Sequence, residues 1–189
     1  MHAYAVDTRC VSRYNHPKGM QKEDEGSMIR AATAEDFPAL RRIFDSARAY
    51  MIAQGNPNQW EEGYPPEETL REDLRRGGLY VLADAGGVYG TFAFLTGDDP
   101  TYATINGAWL SDRPYATLHR VASDGSHRGV FAEVMAFATA MQPHLRIDTH
   151  AQNLPMQRQI ARAGFRYCGI IHCRNGSERL AFERVPERK

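Results

Sequence analysis

The sequence predicts an α+β fold in which a mixed sheet is flanked by helices on both faces. Two observations predict this class. Strand candidates joined by short turns occupy residues 79–96 and 165–185, as expected for antiparallel hairpins. Between them, residues 117–165 read as strand, loop, helix, strand and helix, which contains one βαβ crossover. A single crossover among antiparallel strands favours a mixed sheet over a doubly wound parallel one.

The N-terminal part of the domain contains a strand, two helices and a hairpin. A short strand is predicted at 28–31, and Thr33 then opens a helix with Asp36 in a position typical of a capping box. An apolar stripe at helical spacing continues until Gly55. After an irregular aromatic segment, the remaining predicted elements are a second helix and two strands: 67–76, 79–84 and 88–96.

The C-terminal part is built around the crossover. Residues 102–111 are ambiguous between strand and loop, and a central strand then begins at Thr117. The crossover helix carries an apolar face, and the last helix has Asn153 as its N-cap and Gly164 as its C-terminal stop. A hairpin over 165–185 ends the domain. The predicted order is therefore β-α-α-β-β-β-α-β-α-β-β.

The first 27 residues differ from the rest of the chain. They show no apolar period and mix histidine, proline, glycine and charged residues. We therefore predict a disordered arm or N-terminal extension over 1–27, ahead of a single domain over 28–189.

Composition limits the classes of function. Lysine plus arginine and aspartate plus glutamate both number 23, so the net charge is zero and nothing supports a nucleic-acid partner. The three cysteines form no C-x-x-C pair, which argues against a disulfide framework and a zinc module. No apolar run has the length of a membrane span or the character of a signal peptide. We expect a cytoplasmic protein without a membrane partner.

The loop 123–129 is the strongest candidate binding site. It contains two glycines and lies where the central strand passes into a helix. Exposed backbone N–H groups and the helix dipole make such a junction suited to an anion, and His127 and Arg128 add positive charge. The alternative interpretation is an ordinary glycine-containing turn with two solvated basic residues.

The chain resembles the GNAT superfamily of N-acetyltransferases over residues 28–185. The resemblance is carried by the element order, by Arg128-Gly129 in the loop, and by Asn153 and Gly164-Phe165 at the two ends of the last helix. In that superfamily a loop of the type R-G-x-G-x-G/A binds the coenzyme A pyrophosphate through its amides. The pantetheine arm lies where the next strand splays away. The resemblance implies acetyl-CoA as co-substrate and no metal.

The residues expected to bind the cofactor follow from this resemblance. They lie on the central strand, the loop and the two helices that follow: Val121, Ala122, His127, Arg128, Gly129, Val130, Phe131, Ala132, Asn153 and Met156. Phe131 and Glu133 stand where the superfamily usually has small residues, so both side chains must point away from the ligand. Ile160 stands where many members have a tyrosine that protonates the leaving thiolate.

Three residues are candidate general bases: His119, Asp148 and His150. His119 lies on the central strand, and Asp148 and His150 share one face of the next strand. Were the strands adjacent, both histidines would lie near the thioester, and histidine suits proton transfer near neutral pH. The alternative is that all three are structural polar residues. Their spacing matches no standard metal site.

Aromatic residues indicate an acceptor pocket. Gln59, Trp60 and Tyr64 lie in the segment after the first helix, and Trp109 and Tyr115 precede the central strand. Such residues can grip the apolar part of a substrate. The alternative is that Trp60 and Tyr64 only anchor a loop on the core.

The expected function is transfer of an acetyl group from acetyl-CoA to an amine by direct attack in a ternary complex. The resemblance implies that the N–H of Val121 polarises the thioester carbonyl. The acceptor, a small-molecule or peptide amine, is left open, as is a homodimer. The rival hypothesis is a non-catalytic acyl-CoA-binding or sensor protein of the same fold. A phosphate-binding enzyme of an unrelated fold is disfavoured by the lone crossover.

Overall fold

A computed structural model describes residues 26–186, where the chain forms one eight-stranded sheet and four α-helices. Most of the predicted arm lies outside the described residues. The strands are β1 Met28–Ala31, β2 Leu79–Asp84, β3 Gly87–Thr96, β4 Asn106–Gly107, β5 Ala116–Ser123, β6 Leu145–Thr149, β7 Arg166–His172 and β8 Glu178–Arg184. The helices are α1 Phe37–Ala53, α2 Glu67–Arg75, α3 Val130–Met141 and α4 Leu154–Arg162.

The sheet is mixed, as predicted. Its strand order is β1-β2-β3-β5-β6-β8-β7-β4, and β5 and β6 are the one parallel pair in the described chain. The parallel pair is joined by α3, and every other pairing is antiparallel. The crossover therefore occupies the middle of the sheet.

Both faces of the sheet are covered. Successive residues of β2 pack against different helices. Val81 packs with α1 and α2, whereas Leu82 packs with α3 and α4. Because neighbouring side chains of a strand point to opposite faces, the two helix pairs lie on opposite sides of the sheet. None of the described helices is both long and apolar enough to cross a membrane.

The start of the first helix follows the predicted capping pattern. Asp36 accepts a hydrogen bond from the backbone N–H of Thr33 at 2.8 Å and two from Arg30, at 2.7 and 2.8 Å. Pro38 occupies the first turn of α1, where its missing N–H costs nothing. The carboxylate thus ties β1 to the N-terminus of α1.

The ambiguous segment 102–111 contains the two-residue strand β4, which pairs with β7 at the edge of the sheet. A 3₁₀ turn over Pro100–Tyr102 precedes it. Gly107 has φ 141, and a Cβ there would collide with the carbonyl of Cys168. The close approach of the two backbones therefore requires glycine. Such a short strand has too little sequence pattern to be predicted.

Candidate functional site

A β-bulge interrupts the central strand β5. Thr91 of β3 faces Ala122 and Ala93 faces His119, so Arg120 and Val121 together oppose a single residue. Arg120 has φ 55, the one positive φ of a non-glycine residue in the described chain. A bulge leaves a backbone group outside the ladder, and the left-handed conformation stores strain.

A gap opens between the two parallel strands beyond this point. β5 and β6 pair over three positions, and the last pair is Leu118 with Ile147. β5 continues to Ser123 and β6 continues to Thr149 without further pairing between them. The backbone edges of both strands are therefore available to a ligand that enters the gap.

The end of β5 leads to a group of backbone donors at the start of α3. Gly129 is the N-cap, with φ 80 and ψ 5. Its carbonyl accepts from the N–H groups of Ala132 and Glu133 at 2.8 and 3.1 Å, so these two amides are already used. The amides of residues 128–131 donate to no residue in the described part of the chain. The donor set is thus one residue shorter than the sequence predicts, because Ala132 is occupied.

The two unusual side chains of this turn point away from the donors. Phe131 is buried in the core between α3 and the sheet. Glu133 accepts hydrogen bonds from Ser27 at 2.8 Å and from the Tyr89 hydroxyl at 3.2 Å. The His127 ring stacks on Tyr89 with centroids 3.8 Å apart. Neither Phe131 nor Glu133 therefore fills the space in front of the amides.

His119 lies between two carboxylates at the bulge. Its Nε2 is 2.7 Å from Asp99 Oδ2, and its Nδ1 is 3.6 Å from Asp148 Oδ2. The Tyr102 hydroxyl donates to the same Asp148 oxygen at 2.8 Å. Sequence reasoning predicted His119 and Asp148 but missed Asp99 and Tyr102. The local signal in this segment is a turn at Asp99-Pro100. A turn does not predict contact with His119, which lies 20 positions further along the chain.

The surroundings of Asp99 and Tyr102 shift the pKa of each side chain away from its usual value. Burial raises the pKa of Asp99, but the hydrogen bond from His119 outweighs it and holds that pKa well below the usual range. Complete burial, together with the nearby Asp148 carboxylate, raises the pKa of Tyr102 well above its usual value. Asp99 is therefore an acceptor and Tyr102 a donor at neutral pH.

A second ionic pair ties α2 to the bulge. Arg120 Nη2 lies 2.6 Å from Asp73 Oδ2, and both side chains are almost completely buried. The contact is poorly aligned: Arg120 Nε and Asp73 Oδ2 have no hydrogen-bond partner within residues 26–186. Burial raises the pKa of Asp73, and Arg120 offsets part of that effect. Sequence reasoning missed this pair because α2 lies almost 50 residues before the bulge.

Asn153 is the N-cap of α4, as predicted, and also anchors the loop after α1. Its Oδ1 accepts from the Met156 N–H at 3.2 Å, and its Nδ2 donates to Gln59 Oε1 at 2.8 Å. The same Gln59 oxygen accepts from Thr149 Oγ1 at 3.3 Å. The side-chain oxygen of Gln59 thereby joins its loop to β6. This placement favours a structural role over the predicted contact with acceptor.

The other residues predicted to bind the cofactor lie near the gap between β5 and β6. Their side chains are partly or fully buried in the core. Ala122 is buried against the first two helices, whereas Val121 and Met156 are half-buried beside α3 and α4. Ile160, at the position of the usual tyrosine, is fully buried in the core.

His150 is hydrogen-bonded within its own turn. Its Nδ1 accepts from the Gln152 N–H at 3.2 Å, and no hydrogen bond or ion pair between described residues joins it to His119. Burial, with a smaller effect of Arg179, lowers the pKa of His150.

The predicted acceptor residues divide into two groups. Trp60 packs edge-on against Phe44 and stacks on Tyr64, with ring centroids 5.7 and 5.2 Å apart, respectively. Trp60 is therefore a core residue. Trp109 and Tyr115 instead line a cavity of about 360 Å³ that adjoins the His119 cluster. Within residues 26–186, no group of three histidine, cysteine or acidic side chains is arranged to hold a metal.

Comparison with known proteins identifies the fold. No protein-family model and no curated protein matches the sequence. A GNAT-family acetyltransferase from Streptococcus agalactiae is 29% identical at a TM-score of 0.74, and the match covers 87% of this chain and 98% of that one. A GNAT-family acetyltransferase from Listeria monocytogenes is 14% identical at a TM-score of 0.64, with coverages of 87% and 98%. An N-acetyltransferase from Staphylococcus aureus is 19% identical at 0.53, with coverages of 85% and 98%.

The second and third likenesses show the fold alone, because their identities are low. All three nonetheless extend over nearly the whole of the compared chains. Together with the mixed sheet, its single parallel pair and the four flanking helices, they confirm the predicted architecture. The chain has the GNAT acyltransferase fold and resembles that superfamily.

Proposed function

We propose that this protein transfers an acyl group, with acetyl as the first candidate, from acyl-CoA to an amine. The observation that carries the proposal is the gap between β5 and β6, with the bulge beside it and a cluster of amide donors at the end of the same strand. A long thioester with a pyrophosphate needs both features.

The residues present fit such a co-substrate. Residues 128–131 offer N–H groups to the pyrophosphate, and the buried Phe131 leaves the space in front of them open. Glu133 is held by Ser27 and Tyr89, so its charge is directed away from those amides. When bound, acyl-CoA supplies the activated carbonyl. The reaction forms a C–N bond and breaks the C–S bond, while the amine loses a proton and the sulfur gains one.

We assign the proton acceptor to His119 Nδ1. Nε2 donates to Asp99 at 2.7 Å, which selects the tautomer whose lone pair is on Nδ1. The 3.6 Å separation between Nδ1 and Asp148 is too long for a hydrogen bond, so that nitrogen can accept a proton from an amine. Asp148 is itself held by Tyr102. His150 lacks an orienting carboxylate and is the weaker candidate.

The proposal is tested by coenzyme A release with a panel of amines, and by the variant His119→Ala. We expect turnover to fall about 100-fold or more, the usual contribution of a general base, with acetyl-CoA affinity nearly unchanged. His172→Ala is the matched control, because His172 is an exposed histidine on β7. Wild-type turnover in His119→Ala would rule out the assignment of the base.

A sensor function is the second candidate. It is favoured by the burial of Ile160 where many superfamily members have a catalytic tyrosine. Acetyl-CoA binding measured by calorimetry, without turnover on any amine, would support the sensor and refute the transferase. The pKa of a thiol is about 8–9, so a thiolate can leave without first being protonated. Assistance from a tyrosine is therefore helpful but not obligatory.

A further inference from the structure

The cavity beside the His119 cluster is lined by groups of both charges. Its wall includes Asp99 and Tyr102, whose side chains bond to His119 and Asp148, respectively. Its volume of about 360 Å³ lies at the lower end of the range for ligand pockets. Arg146 lines it from the β6 side, and Asp98 and Asp112 lie at its exposed edge. A ligand held here would contact Asp99 and Tyr102, which bond to His119 and Asp148.

Arg146 lines the cavity with a buried side chain whose orientation is fixed by its neighbours. Its side chain is 7% exposed, and its guanidinium lies 4.0 Å from the Trp109 ring centroid and 3.8 Å from that of Tyr115. Nε donates to Glu183 at 2.8 Å, and Nη2 donates to the Ser111 carbonyl at 2.8 Å. Nη1 makes no hydrogen bond within the described chain. One donor of a fully oriented guanidinium is therefore left for a ligand.

The charge of Arg146 is only partly neutralised. Glu183 Oε1 accepts from both Arg146 and His144, each at 2.8 Å. One carboxylate thus serves two donors deep in the protein, where charges interact strongly. An anionic group on the ligand would complete the pairing of Arg146.

Three carboxylates also line the cavity. Asp98 and Asp112 are exposed and form no ion pair with other described residues, whereas Asp99 is bonded to His119. These carboxylates would attract an ammonium group and repel a plain anion. A plain diamine would place a cation beside Arg146 and leave Nη1 without an acceptor. A lining that contains both a cation and carboxylates matches a ligand that carries both charges.

We propose that this cavity is the acceptor subsite and that the acceptor is an amino carboxylate, that is, a zwitterionic amino acid or a close analogue. Its carboxylate binds Arg146 Nη1 between Trp109 and Tyr115. Its amino group lies toward Asp99, the carboxylate that bonds to His119. This proposal rests on the proposed transferase function, to which it adds the class of acceptor.

The test compares probes of equal length on the full wild-type chain. 4-Aminobutanoate, butylamine and 1,4-diaminobutane differ only in the charge of the far end. Leucine and 3-methylbutylamine form an α-amino acid pair with and without the carboxylate. Binding is measured by calorimetry, and coenzyme A release is measured at saturating acetyl-CoA. We expect the carboxylate-bearing probe of at least one set to bind about 10- to 100-fold more tightly than its amine counterpart, the range of a buried charge-assisted hydrogen bond.

The outcomes separate the two proposals. Transfer to amines without preference for a carboxylate would overturn the subsite and leave the transferase standing. Tight binding of amino carboxylates without transfer would support the subsite and refute the transferase. Tightest binding of 1,4-diaminobutane, or no binding of any probe, would overturn the subsite.

A variant of Arg146 tests whether this residue causes the preference for a carboxylate. Arg146→Gln should abolish the carboxylate preference, measured as a fall of about 10-fold or more in the affinity ratio of 4-aminobutanoate to butylamine. Arg184→Gln is the matched control, since Arg184 lies on β8 and donates to the Pro143 carbonyl outside the cavity. An unchanged preference in folded Arg146→Gln would overturn the proposal. Should that variant fail to fold, the comparison of probes on the wild-type chain still decides.

Discussion

Phe131 and Glu133 illustrate that the direction of a side chain, and not only its type, decides what a loop can bind. Both are bulkier than the residues usual in the GNAT loop, and one carries the same charge as a phosphate. Phe131 packs into the core, and Glu133 is held by Ser27 and Tyr89. The amides of the turn remain exposed because the first turn of a helix orients its N–H groups regardless of side chain.

Gly129 is the residue at which this turn is most sensitive. We expect Gly129→Asp to weaken acetyl-CoA binding about 100-fold or more, because it adds negative charge beside the donors. Gly129→Ala is the control: it introduces only the strain of a Cβ at φ 80, a cost of about 1–2 kcal/mol in stability. Calorimetric titration with acetyl-CoA measures both variants. Unchanged affinity in Gly129→Asp would remove this turn from the binding site.

At the scale of elements, the junction between β1 and α1 depends on one carboxylate. The hydrogen bonds from Arg30 are the main reason that the pKa of Asp36 is lowered, and the Thr33 amide contributes further. A lowered pKa in the folded state means that the protonated form is disfavoured by folding. The stabilisation is therefore complete above the usual aspartate pKa of about 4 and is lost as pH falls through the lower, folded value.

We expect Asp36→Asn to destabilise the fold by about 1–3 kcal/mol at pH 7, the range for hydrogen bonds to a charged group. The difference from wild type should shrink as the pH falls below about 4. Urea unfolding at several pH values measures both effects. Glu35→Gln, at the exposed neighbouring position, should change stability by less than about 0.5 kcal/mol. A difference that persists undiminished at acidic pH would contradict this explanation.

The bulge and the gap also act at the scale of elements. They bring together polar groups that lie on different strands and helices. Separation of β5 from β6 opens the cofactor path, while the bulge directs Arg120 toward Asp73 of α2. The α1–α2 side of the sheet thereby contributes to the same site as the crossover. The proposed acceptor subsite extends this site along the same strands.

At the scale of the whole molecule, β8 joins the crossover to the C-terminal hairpin. It lies between β6 and β7, and Glu183 on β8 is completely buried. This carboxylate accepts from His144 and Arg146, and also from the Leu110 amide. The loop before β5, the start of β6 and β8 are thus held through one side chain.

We expect Glu183→Gln to destabilise the protein by about 3–5 kcal/mol, the usual effect of removing one partner from a buried ion pair. Glu178→Gln is the matched control on the same strand, and because Glu178 is exposed its effect should stay below about 0.5 kcal/mol. Urea unfolding of both variants against wild type measures the difference. Equal stability of the two variants would show that the buried network contributes no net stability.

The sequence predicted the elements well where their signals are local. Capping at Thr33 and Asp36, the N-cap Asn153 and the stop at Gly164 depend on residues within one or two turns of a helix. Hydrophobic periodicity fixed the strands and the crossover for the same reason. Gln59 depends on distant residues instead: its side-chain oxygen accepts from Asn153 and Thr149, contacts that span about 90 residues.

By itself, the sequence determined the order of elements, the mixed sheet, the resemblance to the GNAT superfamily and the position of the amide donors. Only the tertiary structure decided which polar groups meet. It brought Asp99 and Tyr102 to His119 and Asp148, and enclosed Arg146 between Trp109 and Tyr115. The physical reason is that the bulge and the strand gap arise from pairing with neighbouring strands. A one-residue change in register alters which side chains share a face.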